Sequence, residues 1–181
     1  QWTGGTATIN KAYIQAALDQ VILSEAYSLI PSYADLFDWD NQNNAESVLE
    51  IQYSDKAKSG DWGGWNINGN FASVWYSVRN PEGDSSVFAG WSFSIPTWSL
   101  ANEFEAGDPR KYVTLYDAEA NMTNYNRAFM NTGFFNGKYM AKTAYIGSGG
   151  DPSHNFPRNH MDIRFADVLL MAAEVWLADN P

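Results

Sequence analysis

Trp62, Trp65, Trp75, Tyr76, Trp91, Phe93 and Trp98 crowd into one stretch of chain that is otherwise rich in glycine, asparagine and serine. A flat aromatic face packs against the C–H face of a sugar ring, and the indole N–H or phenol hydroxyl adds a polar edge. Asp61, Asn66, Asn68, Asn70 and Arg79 stand among these rings. Their amide, carboxylate and guanidinium groups make the directional hydrogen bonds that hydroxyls need. The predicted ligand-binding set is therefore Trp62, Trp65, Trp75, Tyr76, Trp91, Asp61, Asn66 and Arg79. Trp62 and Trp65 lead it, because Gly60, Gly63 and Gly64 keep the neighbouring backbone open. Trp98 is expected in the core, since it falls in a predicted helix. The competing reading is that all seven rings fill a satellite core beneath long loops.

Other constellations are better explained by structure. Asp108-Pro109-Arg110 follows Gly107 and reads as a helix-ending turn pinned by an ion pair, not as an acid–base pair. Arg164, Asp167 and Glu174 lie on or beside a predicted final helix, where Asp167 suits the helix dipole and the other two suit pairing between helices. His154 and His160 stand six residues apart with Pro157 between them, which does not fit two ligands on one helix face. Asp35, Asp38 and Asp40, with Asn41 and Asn43, lack the glycine and closing glutamate of a calcium loop and read as a solvated acidic turn. No nucleophile elbow, phosphate-binding loop or zinc-protease motif stands in a usable context, and no two carboxylates are singled out for glycosidase work. No catalytic residue, metal or cofactor is predicted.

The 181 residues are 45% hydrophobic, enough for one domain with a core. The net charge of −10 disfavours nucleic acid and anionic lipid as partners but leaves neutral sugars compatible. Cysteine is absent, which excludes disulfides and thiolate chemistry. No apolar run reaches the roughly 20 residues that span a bilayer.

The elements that must position the rings divide the chain into three parts. Residues 1–54 hold a helical segment over 6–30, with Ile14, Leu18, Ile22 and Leu29 on one face, a cap at Thr6 or Thr8 and a stop at Pro31. A turn or short helix over 32–38 and a short strand around Val48, Ile51 and Tyr53 follow. Residues 55–96 form the Trp-rich loop region, without regular elements. Residues 97–181 open with a helix over 97–106 capped by Thr97, continue through an extended run from Lys111 to Tyr116, and remain loop-rich until the last helix. There Phe165, Leu169, Ala172, Ala173 and Trp176 share a face, with Phe165, Leu169 and Trp176 expected to be buried.

That last helix carries the most specific stretch, Arg164-Phe165-Ala166-Asp167-Val168-Leu169-Leu170-Met171-Ala172-Ala173-Glu174. It resembles the "RyADVLLmyAEA" signature of the SusD/RagB family. SEAYSLIPSYADLF followed by ESVLEIQYS resembles another passage of that family. Pro96-Thr97 with Phe104 to Arg110 resembles its "PT..l…Fe.gDpR", and Asn155-Phe156-Pro157 its lead-in to the last helix. The four matches occur in the family's order. Val175 and Trp176 depart from the small residues that usually follow.

The resemblance implies a mainly α fold of tetratricopeptide-type helix pairs with long loops and minor β. The whole chain would be one SusD-like domain, incomplete at both ends. It implies a lipid-anchored protein on the extracellular face of the outer membrane, anchored through a segment outside this sequence. Such a protein captures oligosaccharide or polysaccharide and passes it to a SusC-type TonB-dependent transporter. Two other readings stand beside it. A glycoside hydrolase fragment would need two carboxylates facing across a cleft, and a helical-repeat protein-binding scaffold would leave the Trp-rich loop without a role.

Overall fold

The computed structural model describes residues 10–56, 68–127, 129–147 and 151–177. In chain order the helices are α1 (Lys11–Leu23), α2 (Tyr33–Leu36), α3 (Ala72–Tyr76), α4 (Trp98–Glu103), α5 (Arg110–Thr114), α6 (Ala118–Asn121) and α7 (Phe165–Leu177). The strands are β1 (Ser47–Ile51), β2 (Leu115–Asp117), β3 (Phe134–Asn136) and β4 (His160–Arg164). The chain falls into two compact units.

The first unit, residues 1–31, 43–50 and 161–181, is organised by α1 and α7, which pack together. Asn10 caps α1 by accepting the Tyr13 amide at 3.0 Å; Thr6 and Thr8 lie outside the described residues. The helix ends at Leu23, short of the expected residue 30. Ser24 Oγ donates to Val21 O at 2.7 Å and accepts from Ala26 N, and Glu25 takes a left-handed φ of 53°. These local bonds turn the chain before Pro31 can stop it, so Leu29 never joins the helical face.

α7 lies where its apolar spacing predicts, but its buried stripe is Phe165, Val168 and Ala172. Leu169 is only half-buried and Trp176 is 46% exposed. A helix apolar nearly all round leaves open which of its residues face a neighbour. Asp167 Oδ2 accepts the Arg164 amide at 2.9 Å, the reciprocal half of a capping box. Arg164 also pairs with Glu46 at 3.2 Å, and that carboxylate, 4% exposed, accepts the Ile30 amide at 2.9 Å. Glu174, expected in such a pair, is exposed. β1 and β4 form a two-stranded sheet.

The second unit, residues 32–42 and 51–160, holds two apolar clusters. One gathers Val78, Val87, Ala118, Tyr125, Phe135 and Met140; the other gathers Trp39, Val74, Ala141 and Phe156. β2 and β3 pair antiparallel, with Tyr116 opposite Phe135. Arg158, 3% exposed, donates to the carbonyls of Phe37, Asp38 and Lys138 and lies over the Trp39 and Tyr139 rings. Tyr145 stacks on Trp39 at 4.7 Å and donates to Asp40 at 2.9 Å. Burial and that hydrogen bond push its phenol up to about 12.

Three expectations change in this unit. The run from Lys111 is helical up to Thr114 before it becomes strand. The reason is the turn before it: Asp108 accepts the Arg110 amide at 2.9 Å and pairs with its guanidinium at 2.6 Å, which starts a helical turn at Arg110. The Trp-rich region contains a regular element, α3. Trp98, expected in the core, is 58% exposed, because α4 buries only Ala101.

Candidate functional site

The site grows from α3. Phe71, just before it, is the hub of an aromatic cluster, meeting Trp75, Trp91 and His154 edge-on at 5.5, 5.2 and 5.0 Å. Residues 90–93 run back along α3 and the two residues after it, and donate to their carbonyls. Gly90 N donates to Val78 O at 2.7 Å, Trp91 N to Val74 O at 3.0 Å, Ser92 N to Ser77 O at 2.8 Å and Phe93 N to Trp75 O at 2.7 Å. Gly90 makes this approach possible, since a Cβ there would stand 2.1 Å from Val74 O.

Of the predicted ligand residues, Trp75, Tyr76, Arg79 and Trp91 are brought together on this platform. Trp75 and Arg79 are exposed, Tyr76 and Trp91 half-buried. Arg79 Nη2 reaches Trp91 O at 3.2 Å, and its amide donates to Ser92 Oγ at 2.9 Å. Asp61, Trp62, Trp65 and Asn66 lie outside the described residues. Asn70 is structural: buried, it donates to Arg158 O at 2.7 Å and accepts from Ala72 N.

Beyond Phe93 the chain opens a groove of about 650 Å³ between residues 92–98 and 129–132. Phe93, Trp98 and Phe129 are 49%, 58% and 92% exposed. Thr97 caps α4 by accepting the Leu100 amide, which sets Trp98 in the first turn, edge-on to Phe134 at 5.3 Å. Thr132 Oγ1 donates to Pro96 O at 2.7 Å and ties one wall to the other.

Ser92, Ser94 and Met130 line the groove with φ of 57°, 52° and 58°. Each such residue other than glycine costs on the order of 1 kcal/mol and persists only where the surroundings impose it. Three of the six non-glycine residues with left-handed φ among the described residues thus line this one cavity. Among the described residues lining the groove there is no carboxylate, while Ser92, Ser94, Thr97 and Asn131 offer polar groups. Among the described residues no group of three potential metal ligands occurs.

Sequence reasoning passed over Phe129 and Met130. Their signal was two large apolar residues exposed in a loop between Asn126 and Asn131, far in sequence from the other rings. A smaller cavity of about 260 Å³ is lined by Arg79, Tyr125, Asn126 and Arg127. Asn131 Nδ2, on the groove, donates to Tyr125 Oη, on this cavity, at 3.0 Å.

No family model matches the chain. It is 25% identical to a SusD-like protein of Formosa agariphila, over 86% of this chain and 32% of that protein. It is similar in structure to a laminarin-binding SusD-like protein, with a TM-score of 0.82 and 29% identity over 92% of this chain and 40% of that one. It is equally similar to surface glycan-binding protein A from Bacteroides thetaiotaomicron, with a TM-score of 0.82 and 25% identity over 93% of this chain and 40% of that one. The latter protein has also been solved in complex with laminarihexaose, where the TM-score is 0.81. The chain thus spans between about a third and two-fifths of the length of these relatives.

Proposed function

We propose that the chain is a SusD-family member that binds oligosaccharide at the cell surface for delivery to a SusC-type TonB-dependent transporter. The observation that carries the reading is the groove: three exposed rings, polar groups between them, and three left-handed residues holding its walls. The groove takes Phe93 and Trp98 from the aromatic run; of the predicted set, Trp75, Tyr76, Trp91 and Arg79 do not line it, and Trp62, Trp65, Asp61 and Asn66 lie outside the described residues. Two of the similar structures are named for laminarin or contain laminarihexaose, which makes laminari-oligosaccharides the first ligands to test.

The proposed role is capture without catalysis, supported by the glycan-binding names of the similar proteins; a glycoside hydrolase would need two carboxylates across its cleft. The same reading takes α1 and α7 as one pair of a tetratricopeptide-type scaffold, supported by their packing. It places the protein on the extracellular face of the outer membrane, held by a lipid anchor.

Calorimetry of the whole protein with laminarihexaose tests the proposal. Trp98→Ala removes a stacking face and is expected to cost about 1–3 kcal/mol, roughly 5- to 150-fold in Kd. Trp176→Ala, on α7 in the first unit, is expected to bind as wild type. The recovered sugar should be unshortened. A folded Trp98→Ala protein with wild-type affinity, or cleavage lost on removing one carboxylate, would sink this reading.

A further inference from the structure

The small cavity beside the groove is chemically unlike the rest of this protein. The sequence carries 11 Lys and Arg against 21 Asp and Glu. Yet Arg79 and Arg127 line one cavity together, with Tyr125 and Asn126, and no carboxylate lines it among the described residues. The two arginines differ in state. Arg127 pairs with Glu119 at 2.7 Å and lies over the Tyr125 ring at 4.7 Å. Tyr125 Oη donates to the same carboxylate at 2.6 Å. The guanidinium bond, with the phenol's help, holds Glu119 below the usual carboxylate range, so the Arg127 charge is neutralised locally. Arg79 has no ion-pair partner among the described residues, and the one hydrogen bond its guanidinium makes to them, to Trp91 O, leaves most of its five N–H donors unused.

The cavity is tied to the groove by hydrogen bonds. The Arg79 amide donates to Ser92 Oγ on one wall, and Asn126 N, three residues before the other wall begins, donates to Arg79 O at 2.9 Å. The Asn131–Tyr125 bond bridges the two cavities directly. A sugar chain lying in the groove therefore has a guanidinium with free donors next to it.

Resting on the glycan-binding reading, we propose that the Arg79–Arg127 cavity is a subsite for an anionic substituent, a uronate carboxylate or a sulfate ester, on a sugar unit of the bound glycan. A planar guanidinium meets either group with two parallel N–H···O bonds. The net charge of −10 does not forbid this. Charges further than a Debye length, about 8 Å at physiological ionic strength, are largely screened, while a contact pair is not.

The test is calorimetry of the whole protein with three probes on one backbone: laminarihexaose, the same sugar oxidised to its uronate, and the same sugar sulfated. At low salt at least one charged probe should bind roughly tenfold tighter than the neutral one, and the gap should narrow in concentrated salt. Which charged probe gains identifies the substituent. Arg79→Gln and Arg127→Gln should each bring the charged-to-neutral affinity ratio toward one, with unchanged unfolding midpoints. Neutral binding without any charged advantage, or an advantage that survives in both variants, overturns the subsite alone. No binding of any probe overturns the glycan-binding reading with it.

Discussion

Gly90→Ala is expected to cost the second unit at least about 3 kcal/mol, beyond what overpacking usually costs. The new Cβ would stand 2.1 Å from Val74 O, 2.5 Å from Ser77 Cβ and 2.8 Å from Ser77 O. Two of these three are backbone atoms, which cannot swing aside as a side-chain end can. Relief must come from lifting residues 90–93 off α3, which breaks the bonds of Gly90, Trp91, Ser92 and Phe93 to residues 74–78. Gly107→Ala is the control. Gly107 has a φ of 86° but nothing within 4 Å of a built Cβ, so only backbone strain of about 1 kcal/mol is expected there. Urea unfolding would compare the two, and equal midpoints would show that the close contact at Gly90 is not a constraint.

The second large effect lies in the first unit. Arg164→Met leaves the Glu46 carboxylate, 4% exposed, without its cation, and is expected to cost about 3–5 kcal/mol. Glu46→Gln should cost less. The glutamine oxygen still accepts the Ile30 amide, and Arg164 keeps Asp167 at 3.4 Å. Adding Glu46→Gln to Arg164→Met should therefore recover stability instead of losing more. A double-mutant cycle with additive losses would refute this account of the pair.

Elements whose cause is local were legible in the sequence. Thr97 caps α4 as its type and position predict, Asp108 and Arg110 pair across their turn, and α7 runs through the family signature. What escaped depends on partners distant in sequence or on one side-chain bond. Nothing in an amphipathic pattern announces that Ser24 will turn the chain by bonding back to Val21 O. Nor does it show that the Asp108 carboxylate will start a helix where β-prone residues follow.

Composition singled out the aromatic run, because glycines and rings are visible one residue at a time, but the groove takes only Phe93 and Trp98 from it, while Trp75, Tyr76, Arg79 and Trp91 gather on and beside α3 without lining it. It misplaced Trp98, because membership of a helix says nothing of which side is covered. It passed over Phe129 and Met130, because their place on the groove depends on Thr132 bonding to Pro96, 36 positions earlier.

That spacing also bears on the order in which the molecule assembles. The groove is closed by bonds among residues 71–142, with its walls joined across 36 positions. The first unit is closed by Arg164 reaching Glu46 across 118. Loops that must close over longer stretches form later, and a chain emerging from the ribosome offers its earlier contacts first. The groove can take shape while the partner of Glu46 is still unsynthesised. Pulse-labelling hydrogen exchange during refolding should accordingly protect the Phe93 amide before that of Phe165, and the reverse order would contradict it.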